Sequence, residues 1–84
     1  MSSLTTAFLV AAHNDALAAQ WRAQNVLMHA YASMQGANKR GGAEGIAWAR
    51  RKLDEALSTT YLADHEVAYA KRRLEEEEEE GGEE

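Results

Sequence analysis

The stretch from Ile46 to Leu74 is the most regular part of the chain, and it reads IAWARRKLDEALSTTYLADHEVAYAKRRL. Larger residues recur there at every seventh position, and alanines recur at the same interval three residues behind them. We call these nine positions the alanine seam: Ile46, Ala49, Leu53, Ala56, Thr60, Ala63, Val67, Ala70 and Leu74. A seven-residue repeat of this kind predicts a helix that packs against another helix as in a coiled coil. The alanines let the neighbouring backbone come close.

The first part of the chain predicts the opposing helix. It has no glycine or proline from Met1 to Gln35, and Ser2 or Ser3 can cap its first N–H groups. Placing residues at helical steps gathers one broad apolar face: Leu9, Val10, Ala16, Leu17, Trp21, Ala23, Leu27, Met28, Ala30, Tyr31 and Met34. His13, Gln20 and Gln24 fall inside this face, and we expect them to form a polar layer that sets the register of the two helices.

Four glycines lie within the ten residues 36–45 and predict a flexible turn, with Gly36 as the left-handed residue after the first helix. The sequence therefore predicts an all-α, antiparallel two-helix hairpin over residues 1–74. We expect helices over about 3–35 and 46–76, a loop over 36–45 and an acidic tail over 75–84. Six consecutive glutamates at a helix C-terminus repel one another, so we expect fraying within that run and disorder from Gly81 onward.

A small core predicts association. Alanine supplies 17 of the 38 hydrophobic residues among the 84, so a lone hairpin would be marginally stable. We expect a homo-oligomer, in the form of a helical bundle, or docking on a larger assembly. Large apolar residues that lie off both seams mark a surface for a partner. Besides Leu4, these residues are Phe8, Val26, Trp48, Tyr61, Leu62 and Tyr69.

Charge is segregated along the chain. Residues 75–84 hold eight of the 14 acids, which leaves a body with nine bases and six acids. The tail is interpreted as a solubilising end, as a cover for the protein's own basic face, or as a ligand for a basic partner. The possible phosphate contacts are Lys39, Arg40, Arg50, Arg51 and Lys52. Arg50 and Arg51 also have acids four residues on, which is typical of a solvated helix face, so nucleic acid is a possible but not a favoured partner.

The residue types and spacings predict no catalytic, metal or cofactor site. There is no cysteine, no histidine follows a glutamate by three residues, and no serine has an identifiable base. Asp64 lies at the edge of the alanine seam, and we expect it to meet His13 or Gln20 across the hairpin. No basic segment precedes the apolar residues 7–12, and no apolar stretch is long enough to span a membrane. We therefore expect a protein without a signal peptide or membrane contact, located in the cytoplasm or assembled into a particle.

Two functional hypotheses follow. The first is a non-enzymatic structural or adaptor protein that acts through helix packing, for example as a small subunit of a phage virion. The second is a small regulator that binds nucleic acid or a nucleic-acid-handling protein, with the acidic tail as a mimic or self-inhibitor. Deleting the tail separates them, because assembly should survive in the first case and target binding should change in the second.

Overall fold

The computed structural model describes the backbone of residues 2–83 and the side chains of residues 4–79. It contains two helices, α1 (Ser2–Arg40) and α2 (Ala43–Glu83), which pack side by side along their length. The described residues form a rod of 64 × 13 × 13 Å. The all-α helical hairpin predicted from the heptad repeat is therefore confirmed.

Two glycines make the whole turn. Gly41 and Gly42 have φ angles of 75° and 96°, in the left-handed region that residues with a Cβ rarely adopt. The N–H of Gly41 donates to the carbonyl of Ala37, which closes α1, and the carbonyl of Gly42 accepts from the N–H of Ile46, which opens α2. Gly41 thus takes the role that we expected of Gly36.

The predicted loop over 36–45 is wrong in its extent, because Gly36 and Gly45 are helical. The helices extend toward the turn because the residues next to it are buried. Ala37 and Ala49 are the two most deeply buried core residues, at 3% and 1% exposure, and Ile46 is half-buried. Packing at these positions offsets a cost of about 1 kcal/mol for each glycine in a helix.

The predicted end of the second helix near residue 76 is also too early. α2 continues through the glutamates to Glu83, where we expected fraying and then disorder. Glutamate is a good helix former, and Lys71, Arg72 and Arg73 each precede a glutamate by four residues. Glu77 is half-buried and lies seven residues after Ala70, so the heptad repeat of the seam reaches into the run. The side chains of residues 80–84 lie outside the described part.

The core consists of layers, each formed by one residue of α1 and one residue of α2 whose residue numbers add up to 83. We call this series of layers the ladder. The contact of Thr60 fixes this register, because its Oγ1 lies 3.4 Å from the carbonyl oxygen of Ala23. The residue numbers of the two turn glycines, Gly41 and Gly42, give the same total. Eight consecutive layers then pair one alanine with one larger residue. From the turn outward they are Ala37–Ile46, Met34–Ala49, Ala30–Leu53, Leu27–Ala56, Ala23–Thr60, Gln20–Ala63, Ala16–Val67 and His13–Ala70. Each alanine leaves room for the side chain opposite it, which allows close packing.

Burial follows these layers. All nine residues of the alanine seam are buried or half-buried, as are the α1 residues of the ladder. The broad apolar face expected for α1 does not enter the core as a whole. Five of its members are exposed: Val10, Leu17, Trp21, Met28 and Tyr31. A single partner helix covers only one narrow stripe, so a wide apolar face leaves one flank uncovered.

Candidate interaction surface

The two helices differ sharply in charge. The chain has 23 charged side chains, nine basic and 14 acidic; 18 of them are on α2 and only four on α1. Those of α1 are Asp15, Arg22, Lys39 and Arg40, so its first 37 residues carry two charges. A low number of charges on the faces of α1 that α2 does not cover is typical of a helix that is covered on more than one side.

One flank of α1 has no charge at all along its length. We call it the uncharged stripe; its ten residues alternate at steps of three and four and are all exposed: Ala7, Val10, Asn14, Leu17, Trp21, Gln24, Met28, Tyr31, Gln35 and Asn38. Trp21 and Met28 are each 68% exposed. The spacing is that of a second heptad seam, displaced by one residue from the seam that faces α2. The stripe is therefore built like a helix-packing surface, and α2 does not cover it.

The opposite side of the hairpin carries a groove between the helices, which we call the groove flank. Its larger part is a shallow cleft of about 640 Å³ with Ala12 and Ala16 on α1 and Leu62, Tyr69 and Ala70 on α2. A second cleft nearer the turn lies between Val26 and Thr59. Charged residues line both clefts, among them Asp15, Glu66, Lys52 and Glu55. The groove flank is thus a mixed surface, in contrast to the uncharged stripe.

The six residues predicted as a partner face are all exposed, but they do not form one patch. Leu62, Tyr69 and Val26 line the clefts of the groove flank. Phe8 and Trp48 share that flank by their heptad positions, near opposite ends of the rod. Tyr61 lies on another side, where its ring meets the edge of the His65 ring at 4.5 Å. The uncharged stripe carries five large exposed apolar side chains along one helix flank, and the sequence pattern had assigned these five to the face that packs on α2.

Two polar residues of the ladder, Gln20 and Thr60, form side-chain hydrogen bonds. Nε2 of Gln20 donates to Oδ1 of Asp64 at 2.7 Å, so Gln20 is the one of the two expected partners that Asp64 meets. Oγ1 of Thr60 donates to the carbonyl of Ala56 at 2.8 Å. His13 and Gln20 are half-buried, whereas Gln24 is exposed on the uncharged stripe and belongs to no layer.

The basic residues near the turn are exposed but dispersed. Arg50, Arg51 and Lys52 are consecutive on α2 and therefore point to different sides of that helix. Lys52 has local partners: its Nζ lies 3.6 Å from Oε2 of Glu55 and 5.8 Å from the centre of the Trp48 ring. The guanidinium of Arg40 folds back over Gly36. No continuous basic stripe of the kind that follows a phosphate backbone is formed by these side chains.

Among residues 4–79, no ion pair within 4.0 Å joins Arg50 to Asp54 or Arg51 to Glu55; the pair present is Lys52–Glu55. No group of three or more histidine, cysteine, aspartate or glutamate side chains in the described residues is arranged to hold a metal ion. Neither helix, within its described residues, has a stretch that is both long and apolar enough to cross a bilayer.

Comparison with known proteins adds no relative. The chain matches no protein-family model, no curated protein and no solved structure at a significant level. The function must therefore be argued from the surface itself.

The uncharged stripe is the functional candidate that sequence reasoning missed as a surface. Its signal was present, because the two charges between Leu4 and Asn38 are Asp15 and Arg22, both on the groove flank by heptad position. A second apolar repeat offset by one residue is easily merged with the first into one broad face. Only the position of α2 separates the two.

Proposed function

We propose that this protein is a non-enzymatic structural or adaptor protein that acts by packing helices, either with its own copies or as a small subunit of a larger assembly such as a phage virion. The observation that supports the proposal most directly is the uncharged stripe. It places five large apolar side chains in water on one helix and interrupts them with amides rather than charges. Apolar surface of that extent on a small protein is a mark of an interface.

The small internal core supports the same proposal. Alanines supply seven of the eight buried core residues, so burying them yields little of the area that stabilises a fold. Covering Leu17, Trp21 and Met28 would add apolar area that the hairpin alone does not bury. Assembly would therefore stabilise the fold as well as use it.

The test compares two variants with charges on different sides of the rod. In one, Trp21→Glu and Met28→Glu place two acids on the uncharged stripe; in the matched control, Leu62→Glu and Tyr69→Glu place two on the groove flank, at side chains of similar exposure. Tagged chains are recovered from the native source, sized, and analysed by mass spectrometry. We expect the wild type and the control in a complex larger than the 9.3 kDa chain, and the stripe variant alone. A wild type that is a monomer both in the extract and when purified, with a cooperative thermal transition, would contradict the proposal.

A second candidate is the regulator that binds nucleic acid or a nucleic-acid-handling protein. It is supported by the exposure of all five basic residues around the turn, Lys39, Arg40, Arg50, Arg51 and Lys52, with the glutamates at the far end of the rod. A gel shift with duplex and single-stranded DNA at low salt tests direct binding. The second candidate predicts a salt-sensitive shift that increases when residues 75–84 are deleted. No shift with either chain would rule out direct binding.

A further inference from the structure

We propose that the occupant of the uncharged stripe is the same stripe of a second copy, packed antiparallel across a twofold axis that passes near Ala19 of α1. This inference rests on the proposed function and names its partner and register. Two copies of the hairpin would then form a four-helix assembly with the two α1 helices in contact at its centre.

Two antiparallel copies of the stripe can be aligned in several registers that differ by whole heptads, and only one of them pairs residues of like polarity throughout. When residue numbers in the two copies add up to 38, apolar residues meet apolar residues and amides meet amides. The layers are Ala7 with Tyr31, Val10 with Met28, Asn14 with Gln24, and Leu17 with Trp21, each occurring twice. The neighbouring register, one heptad along, sets Trp21 against Gln24 and Val10 against Gln35, which leaves amides facing apolar groups.

The charges toward the two ends of α2, which played no part in choosing that register, agree with it, whereas at the twofold axis Asp64 is level with Asp64 of the second copy. The register between α1 and α2 and the proposed register between the two α1 helices together fix how the two α2 helices align. Each α2 residue is level with the α2 residue of the second copy for which the two residue numbers add up to 128. Arg50, Arg51 and Lys52, which point to different sides of α2, are then level with Glu78, Glu77 and Glu76 of the second copy, and by heptad position Arg50 and Glu78 are the pair on the side of the uncharged stripe. Glu55 is level with Arg73. In the neighbouring register, Arg50 would be level with Lys71, and like charges would approach.

The other flank is less suited to a second copy. Its clefts are lined by Asp15, Glu66, Lys52 and Glu55, which would lose water on association. Phe8 and Trp48 lie toward opposite ends of it, so its large apolar side chains are scattered. The uncharged stripe imposes no such cost, because its ten positions contain no ionised group.

The first experiment measures the dimerisation constant by sedimentation equilibrium, from about 1 to 200 µM. Leu17→Glu lies in a central layer of the stripe, and Leu62→Glu makes the same change on the groove flank. Both leucines are exposed, so circular dichroism should show that both variants stay helical. We expect Leu17→Glu to weaken dimerisation at least about 100-fold, because a twofold interface loses each contact twice, and Leu62→Glu to change it by less than about threefold.

Cysteine pairs test the register, since residues 1–84 contain no cysteine. A mixture of Asn14→Cys and Gln24→Cys chains should form the mixed disulfide dimer rapidly under mild oxidation. Asn14→Cys alone should cross-link slowly, because its two copies would be separated by about 15 Å along the axis. Equal rates in the two experiments would overturn the register.

The two tryptophans report the interface without a label. In Trp48→Phe, the emission of Trp21 should shift to the blue as concentration rises; in Trp21→Phe, that of Trp48 should stay constant. A monomer over the whole concentration range, or a dimer broken by Leu62→Glu and not by Leu17→Glu, overturns this inference. The proposed function survives either result if the chain is still recovered from its source in a larger complex that the charges on the stripe disrupt. Recovery as a monomer there would remove both.

Discussion

At the scale of single residues, the four glycines between residues 36 and 45 have two different roles. Gly41 and Gly42 adopt positive φ angles and form the turn, whereas Gly36 and Gly45 lie within helices. A Cβ added at Gly45 would meet nothing within 4 Å. The glycines that the sequence groups into one loop are thus separated by backbone conformation.

Gly41→Ala and Gly45→Ala should change stability in opposite directions. At Gly41 the left-handed conformation costs a residue with a Cβ about 1 kcal/mol or more, so the free energy of unfolding should fall. At Gly45 the alanine should raise it by about 0.5–1 kcal/mol, because alanine loses less entropy in a helix. Urea denaturation at one protein concentration measures both. A stabilising Gly41→Ala would contradict the turn described here.

The contact between Gln20 and Asp64 is the hydrogen bond that joins the helices through two side chains. Gln20 belongs to a layer of the core and Asp64 lies at the edge of the seam, and the bond is exposed to water. A double-mutant cycle with Gln20→Ala and Asp64→Ala should give a coupling energy of about 0.5–1 kcal/mol, as expected for a solvated bond to a charged group. A coupling near zero would show that the bond does not persist in solution.

At the scale of the helices, the seam depends on alternation of size. Each alanine of the alanine seam lies opposite a larger residue of α1, and each larger residue of the seam from Ile46 to Val67 lies opposite an alanine. The helices can approach closely only while this alternation holds, because a larger residue in place of an alanine has no room.

Ala56→Leu and Ala63→Leu should therefore destabilise the hairpin. Ala56 and Ala63 are 4% and 7% exposed, and overpacking a tight seam costs about 1–3 kcal/mol at each site. The control is Ala68→Leu, which makes the same change at an exposed position of α2 and should alter stability by less than about 0.5 kcal/mol. Melting curves and stoichiometry of the three variants are compared. Unchanged values for the two seam variants would mean that the helices do not pack through these alanines.

At the scale of the whole molecule, five of the nine basic residues lie toward the turn, and the glutamate run lies at the other end of the rod, next to Lys71, Arg72 and Arg73. In the proposed dimer the antiparallel arrangement brings these ends level, so charge favours the same geometry as the stripe. Exposed charges contribute little in pairs, but several in register stabilise an association measurably at low salt.

Raising salt from about 50 to 500 mM should therefore weaken dimerisation a few-fold. Glu78→Gln, which keeps the side-chain shape, should weaken dimerisation at low salt and reduce its salt dependence. Sedimentation equilibrium at two salt concentrations gives both quantities. Apolar contacts alone would make dimerisation stronger at high salt. That result would argue against ion pairing between the basic residues near the turn and the glutamates of the second copy.

The amino-acid sequence alone was sufficient for the helical hairpin, its antiparallel direction and the residues of α2 that face α1. Heptad periodicity is a local property of the chain, and on α2 every heptad position outside the seam includes charged residues, so one helix face is selected without knowledge of the partner.

For α1 the tertiary structure was needed. Two apolar repeats lie one residue apart on that helix, and either could face a neighbour. The layer that joins Thr60 to Ala23 buries one repeat and leaves Leu17, Trp21 and Met28 in water. The extent of the turn was decided in the same way, because burial of Ala37 and Ala49 outweighs the weak helix propensity of the glycines beside them. Packing between distant segments settles such choices, because local propensities leave them nearly equal in energy.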